Sequence, residues 1–157
     1  MSESSSYDAS CIFCRIAAGK IPCHKIYEDQ LILCFLDIGP VVTGHTLVIP
    51  KQHVGNIFDM PPELGAQIAR RLPGLARAVC AAVDAPACHI LQNNGAQAMQ
   101  SVGHAHYHIL PRKSGDGFFV PWNPGQLDVP FAKSLIVRIQ NQYAIHDDGH
   151  NPKLSSK

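Results

Sequence analysis

The chain of 157 residues carries 13 lysines and arginines against 12 aspartates and glutamates, which gives a formal net charge of +1. A chain of this length folds as one domain and buries about two thirds of the surface that it exposes when unfolded. The balanced charge, without a basic run, argues against a nucleic-acid partner. No stretch approaches about eighteen apolar residues and no apolar run opens the chain, so we expect no membrane span, no signal peptide and a cytoplasmic location.

The N-terminal half predicts one short helix followed by three strands. Residues 1–10 are small and polar and are expected to form a disordered tail. A helix is predicted over 11–18, capped by Ser10 and ended by Gly19. Strands are predicted over 23–27, 31–36 and 45–49, and the third is closed by Pro50.

The C-terminal half predicts two helices and two strands. An apolar stripe at spacings of three and four predicts a long helix over 61–84, which Pro73 is expected to kink or break. Strands are predicted over 88–92 and 104–110, separated by a polar loop over 93–103. Asp128 is expected to cap a last helix through Tyr143, and residues 144–157 are expected to form a flexible tail. The residues predicted to face inward from that helix are Phe131, Leu135, Ile136 and Ile139.

Three histidines at two-residue spacing, His104, His106 and His108, are the most informative feature of the sequence. Side chains alternate between the two faces of a strand, so a strand over 104–110 would place all three imidazoles on one face. Imidazole titrates near neutral pH and can act as a nucleophile, a proton donor or a metal ligand. The alternative is a solvated histidine-rich strand, which the repulsion between charged imidazoles disfavours.

Two cysteines, Cys11 and Cys14, are spaced as a CxxC pair. Such a pair could be a redox centre, half of a zinc site or two buried thiols. The redox interpretation is the weakest because no strand precedes Cys11. Tetrahedral zinc accepts two thiolates and two imidazoles, and His53 and His104 are candidates for the other two positions.

A polar loop over 92–103 leads directly into the histidine segment. Its backbone N–H groups and its amide and hydroxyl side chains could hold phosphate oxygens. Asp37 follows an apolar run and could bind sugar hydroxyls or form a turn. The remaining histidines lack such context and are predicted to be structural or solvated: His24, His45, His89, His146 and His150.

The run His-Ala-His-Tyr-His-Ile-Leu resembles the signature of the histidine triad (HIT) family. The similarity also includes Cys-Ile-Phe-Cys-Arg-Ile, the segment Gly-His-Thr-Leu-Val-Ile-Pro-Lys-Gln-His over 44–53, and Ile-Leu-Pro-Arg over 109–112. It covers about residues 11–143, and it is closest to the Hint-like, microbial zinc-containing branch. The resemblance implies an α+β fold with a five-stranded antiparallel sheet and a homodimer formed through the long helix and the neighbouring strand.

The resemblance also implies a nucleotide hydrolase that binds an AMP-like purine nucleotide. His106 would attack the α-phosphorus of a nucleoside phosphoramidate or a dinucleoside polyphosphate, and water would release the nucleoside monophosphate from the histidine adduct. The residues implied to contact the phosphate or leaving group are His108, Ser101 and Gln100. Those implied to contact the nucleoside are Ile12, Phe13, Leu36, Asp37 and Asn93.

In family members that keep the CxxC pair, one structural zinc ion per chain is bound by four side chains, which here are Cys11, Cys14, His53 and His104. One position departs from the family pattern, because Met99 stands where a glycine usually precedes the loop glutamine. Two alternatives stay open at this stage. One is a regulatory nucleotide-binding protein with incidental hydrolysis, and the other is a nucleotidyl transferase.

Overall fold

The computed structural model describes residues 7–118 and 124–146, with side chains described through residue 144. The expectations for residues 1–6 and 147–157 concern parts of the chain outside these ranges. Of these residues, 7–118 belong to one compact unit and 124–146 to a second. None of the helices in the described part of the chain is long and apolar enough to cross a membrane.

A five-stranded antiparallel sheet forms the first unit, which confirms the predicted fold class. The strands are β1 (His24–Glu28), β2 (Ile32–Leu36), β3 (Thr46–Pro50), β4 (Ala87–Leu91) and β5 (Tyr107–Arg112), and their order is β1-β2-β3-β5-β4. The helices are α1 (Ile12–Ala17), α2 (Pro62–Ala82) and, in the second unit, α3 (Val129–His146). Short 3-10 turns lie at Ile57–Asp59 and Ala96–Ala98.

Each face of the sheet is covered by a different helix. On one face, Leu64 and Ile68 of α2 pack against sheet residues that include Ile109. On the other face, Phe13 of α1 packs against sheet residues that include Phe35. Because both faces are covered, β2 and β3 are continuously apolar and buried along most of their length rather than alternating.

The strand predicted over 104–110 begins only at Tyr107, so two of the three histidines precede the sheet ladder. The preceding segment is held by a turn, in which the N–H of His104 donates to the Val102 carbonyl at 2.8 Å. The N–H of Ala105 donates to the Val54 carbonyl at 2.6 Å. The predicted strand was therefore wrong for residues 104–106. The predicted separation of faces is nevertheless present, because the His104 and His106 rings contact Phe13 of α1, whereas Ala105, Tyr107 and Ile109 join the core on the α2 side.

Both helices of the first unit differ in detail from the prediction. The N-cap of α1 is Cys11, whose Sγ accepts a hydrogen bond from the Cys14 N–H at 3.5 Å, while Ser10 donates to Asp8. Helix α2 continues through Pro73 without a break. Pro73 lies on the exposed side of the helix, where water can satisfy the carbonyl that its missing N–H leaves unpaired.

Helix α3 begins as predicted, because the Asp128 carboxylate accepts a hydrogen bond from the Phe131 N–H at 3.1 Å. The predicted burial of its apolar side chains was wrong. Phe131, Ile136 and Ile139 are each more than half exposed, and Leu135 is half-buried. The amphipathic pattern identified the helix correctly, but such a pattern shows only which side chains can be buried and not that something covers them.

Candidate active site

Four predicted metal ligands, Cys11, Cys14, His53 and His104, lie together between α1 and the segment before β5. Their ligand atoms all lie within 4.8 Å of one another. The Cys11 Sγ is 3.4 Å from the His104 Nδ1, and the Cys14 Sγ is 3.3 Å from the His53 Nδ1. Cys11 is the N-cap of α1 and Cys14 lies in its first turn, so a spacing of two intervening residues brings both sulfurs to the same end of the helix.

The donor set fits tetrahedral zinc. Bond lengths of about 2.3 Å to sulfur and about 2.0 Å to nitrogen place neighbouring ligand atoms about 3.5 Å apart in a tetrahedron, close to the distances found here. The His104 Nε2 lies 2.9 Å from the Pro50 carbonyl oxygen, which can only accept, so Nε2 carries the proton. The lone pair of Nδ1 therefore faces the sulfurs, as a metal ligand requires. Burial lowers the pKa of His104 to about 4, so this imidazole is neutral.

His106 is 2% exposed and lies next to the metal cluster without belonging to it. Its Nδ1 lies 2.7 Å from the His104 carbonyl oxygen, so Nδ1 carries the proton and donates it. The free lone pair of the imidazole is therefore on Nε2. The Phe13 ring packs edge-on against this imidazole at 5.2 Å between centroids, and the His108 ring does so at 4.9 Å. The ring is thus held in one orientation with one nucleophilic nitrogen.

His108 is hydrogen-bonded to His45, which lies beside the Asp37 carboxylate. The Val41 N–H donates to the His45 Nδ1 at 3.3 Å, so the proton of His45 is on Nε2. That Nε2 lies 2.8 Å from the His108 Nδ1 and 3.5 Å from the Asp37 carboxylate. Because the His108 Nδ1 accepts this hydrogen bond, its own proton is on Nε2. His108 therefore carries an Nε2–H donor on a ring that lies 4.9 Å from the His106 ring, between centroids.

Burial keeps the imidazoles of His45 and His108 neutral. Burial lowers the pKa of His108 to about 4, and the neighbouring His106 and His45 lower it further. Burial also lowers the pKa of His45, against the opposing effect of Asp37. Near pH 7 the two rings are neutral, so the tautomers, rather than added protons, determine which atoms donate.

His45 belongs to the site, although its local sequence predicted a structural or solvated histidine. The signal was present in the chain order. Asp37 directly follows β2, His45 directly precedes β3, and these strands pair antiparallel with Leu36 opposite Thr46. A carboxylate and an imidazole at the two ends of such a connection are brought together, and the Asp37 N–H donates to the His45 carbonyl at 3.0 Å.

The polar loop after β4 is held by Gln100. Its Oε1 accepts from the Gly95 N–H at 2.8 Å, and its Nε2 donates to the carbonyls of Gly55 at 2.7 Å and Val102 at 2.9 Å. Both amide protons are therefore already donated to backbone. Ser101 is exposed, and the Asn93 amide donates to the Met99 carbonyl at 3.4 Å.

Met99 adopts the left-handed conformation, with φ 61° and ψ 29°, at the position where the resemblance leads us to expect glycine. Its side chain is 79% exposed. The loop therefore keeps the backbone shape that glycine would adopt without strain, and the methionine side chain extends into solvent.

The apolar residues that the family resemblance implies as nucleoside contacts differ in their exposure to solvent. Phe13 is buried, whereas Ile12 and Leu36 are each about two fifths exposed. Ile38, one residue after Asp37, is 89% exposed, and the sequence analysis did not single it out. One Asp37 carboxylate oxygen accepts from the Gly39 N–H at 2.8 Å, so the predicted turn-forming role of Asp37 is present.

Comparisons with known proteins identify the family. The HIT domain model matches residues 18–115. An adenosine 5'-monophosphoramidase of Schizosaccharomyces pombe is 45% identical over 114 residues, which cover 72% of this chain and 83% of the relative. A Streptococcus mutans protein structure has a TM-score of 0.85 at 39% identity and covers 90% of each chain. A zinc-bound histidine triad family protein from Mycobacterium smegmatis has a TM-score of 0.67 at 36% identity, covering 85% of this chain and 97% of that one. The chain belongs to the histidine triad (HIT) family, as its sequence motifs predicted.

Proposed function

We propose that this protein is a nucleotide hydrolase that cleaves purine nucleoside phosphoramidates at the α-phosphorus and releases the nucleoside monophosphate. The observation that carries the proposal is the pair of tautomers fixed by hydrogen bonds. His106 has its lone pair on Nε2, and His108 has its proton on Nε2. A nucleophile and a proton donor therefore stand side by side. The phosphoramidase name of the relative from S. pombe supports the substrate class.

The reaction proceeds in two displacements. The His106 Nε2 lone pair attacks phosphorus and forms a P–N bond, and the bond to the leaving amine breaks. The His108 Nε2–H donates a hydrogen bond to the leaving nitrogen, which takes one proton from solvent and departs as the neutral amine. Water then attacks the nucleotidyl-histidine, gives one proton back to solvent and releases the nucleotide, because neutral imidazole is also a good leaving group. A dinucleoside polyphosphate fits the same scheme with a phosphate leaving group.

We also propose that Cys11, Cys14, His53 and His104 bind one zinc ion per chain. The spacing of the four ligand atoms, the tautomer of His104 and the zinc-bound relative from M. smegmatis support this assignment. Four protein ligands leave no coordination position for substrate, so the ion would be structural. It would tie α1 to the segment that carries His104 and His106.

The nucleotide is proposed to lie across the exposed apolar residues near the end of β2 and the start of α1. Ile12, Leu36 and Ile38 would contact the purine base, and the Asp37 carboxylate would contact the ribose. Ser101 is proposed to lie near the phosphate, and Asn93 near the nucleoside. The Gln100 Nε2 could donate to the phosphate only if it gave up its hydrogen bond to the carbonyl of Gly55 or of Val102.

The test compares wild type with His106→Asn in hydrolysis of adenosine 5'-phosphoramidate and a dinucleoside polyphosphate. Asparagine can retain the hydrogen bond that Nδ1 donates to the His104 carbonyl, but it lacks the attacking nitrogen. We expect kcat to fall by at least about 10³-fold, as for loss of a covalent path, with AMP affinity changed by less than a few fold. His24→Asn, at an exposed histidine of β1, is the matched control and should be fully active.

Two outcomes would reject the proposal. Turnover by His106→Asn close to that of wild type would show that this imidazole is not the nucleophile. Wild-type protein that binds AMP but hydrolyses none of the substrates would instead identify a regulatory nucleotide-binding protein.

A further inference from the structure

Two thiols outside the active site lie together where α2 ends beside β4. Cys80 is in the last turn of α2, and Cys88 is the second residue of β4. The Cys80 thiol donates to the carbonyl oxygen of Ala87 at 3.7 Å, so its sulfur lies against the backbone that leads into Cys88. Both cysteines are partly exposed and both are free thiols.

The register of β4 directs Cys88 toward α2. Cys88 lies opposite Pro111 and Ile90 lies opposite Ile109, which packs in the core beneath α2. Side chains two residues apart on a strand share a face, so Cys88 faces the same side as Ile90. The thiols of Cys80 and Cys88 therefore face each other in the seam between α2 and β4. Burial raises the pKa of the Cys80 thiol, and the neighbouring Cys88 raises it further.

The connection between the two cysteines is a fixed reversal of the chain. The Ala85 N–H donates to the Cys80 carbonyl at 2.9 Å, and Asp84 takes the left-handed conformation with φ 52°. The turn holds the end of α2 and the start of β4 side by side without help from a covalent bond. The fixed turn therefore keeps the two thiols at neighbouring positions, as a bond between the sulfurs requires.

We propose that Cys80 and Cys88 form a redox-active dithiol that a low-molecular-weight disulfide converts to an intrachain disulfide. Three of the other cysteines lie in different surroundings. Cys11 and Cys14 belong to the metal cluster, and Cys34 is fully buried in the core. The proposal does not depend on the nucleotide hydrolase activity. It concerns the α2–β4 seam on the opposite face of the sheet from α1.

The exchange takes place in two steps. The Cys88 thiolate attacks one sulfur of the small disulfide, forms a mixed disulfide and expels one small thiolate. Cys80 then loses its proton to solvent, attacks the Cys88 sulfur and expels the second small thiol. The protein loses two electrons and two protons, and the small disulfide gains both. The resulting bond ties the end of α2 to the edge strand whose Leu91 lies opposite His108.

The experiment treats the full-length protein with oxidised glutathione, alkylates the remaining thiols after denaturation and digests with trypsin. The peptide 78–112, between Arg77 and Arg112, contains Cys80 and Cys88 and no other cysteine. We expect this peptide to lose both alkylation sites and to be lighter by two hydrogen atoms than the reduced, unalkylated peptide. Dithiothreitol should restore both sites, and the oxidised protein should melt several degrees higher, as for a short loop closed by a disulfide.

Single variants make the test specific. Cys80→Ser and Cys88→Ser should form no disulfide within this peptide and gain no thermal stability from the treatment. Cys23→Ser, at another partly buried thiol, should behave as wild type. Two alkylated cysteines in the treated wild-type peptide, glutathione adducts without a bond between the sulfurs, or a bond joining two chains would each overturn the proposal.

Discussion

At the scale of single residues, the account depends on where protons sit on three imidazoles. The His104 carbonyl fixes the proton of His106 on Nδ1, and His45 fixes the proton of His108 on Nε2. His45 is in turn oriented by the Val41 N–H and by the Asp37 carboxylate. The two reacting imidazoles therefore hold opposite tautomers, which makes one a nucleophile and the other a donor.

Replacing His45 should reduce catalysis without removing any group that we place on the substrate. In His45→Ala, the His108 Nδ1 loses its donor, and the ring is free to carry its proton on either nitrogen. We expect kcat/KM for adenosine 5'-phosphoramidate to fall by about 10–100-fold, as for loss of a partner that orients an imidazole, with zinc content unchanged. His24→Ala is the control. Full activity in His45→Ala would show that the tautomer of His108 is fixed in some other way.

Met99 stores backbone strain that a glycine would not. Its left-handed φ of 61° costs a non-glycine residue about 1 kcal/mol or more, and its exposed side chain contributes little packing. We expect Met99→Gly to increase the free energy of unfolding by about 0.5–1 kcal/mol, measured by urea denaturation. The adjacent Ala98→Gly, in a 3-10 turn, should have the opposite sign. A loss of stability in Met99→Gly would mean that the methionine side chain makes a stabilising contact.

At the scale of elements, α1 depends on the metal cluster more than on its own length. It has only six residues, too few to be stable alone, and its N-cap is the proposed zinc ligand Cys11. We expect about one zinc ion per chain in metal analysis of untagged protein. Cys11→Ser combined with Cys14→Ser should lose the ion and melt at a lower temperature. Cys23→Ser should retain both properties, and zinc-free wild type with reduced thiols would refute the assignment.

Most helices and strands could be predicted from the sequence, because the spacing of apolar residues along them reflects which side chains are buried. The apolar runs of β2 and β3 and the stripe of α2 each predict a buried surface that the structure contains. The prediction failed for the start of β5. The side chains of the histidine segment alternate as predicted, but a turn and the Val54 carbonyl, rather than a strand ladder, hold residues 102–105.

Tertiary contacts explain what the sequence did not reveal about the site. The four proposed metal ligands could be named because thiol and imidazole types are few and distinctive. His45 could not be separated from other histidines by local pattern, because its role arises from a hydrogen bond to a residue 63 positions away. Gln100 was likewise assigned from its place beside Ser101, whereas its amide is bound to the backbone of Gly95 and Val102 in its own loop and of Gly55 in a distant segment.

At the scale of the whole molecule, β4 is an edge strand of the sheet, and Ile90 is exposed on it. An edge with unpaired backbone groups is a site for strand pairing, and α2 beside it exposes mostly small side chains on its outer side. We propose that two copies of the chain pair along this edge. Light scattering at micromolar concentration should give about twice 17.1 kDa. Ile90→Lys should shift the protein toward monomer, and a monomeric wild type would contradict the proposal.

The central claim is that His106 alone forms the covalent bond to the nucleotide. Rapid base-quenched mixing of wild-type protein with adenosine 5'-phosphoramidate, followed by digestion and mass spectrometry, tests it most directly. We expect the tryptic peptide 78–112 to carry one AMP group on His106, to appear within the first turnover and to be absent in His106→Asn. An AMP group located on His104, His108 or any other residue, or first-turnover product formed at the wild-type rate by His106→Asn, would contradict the account.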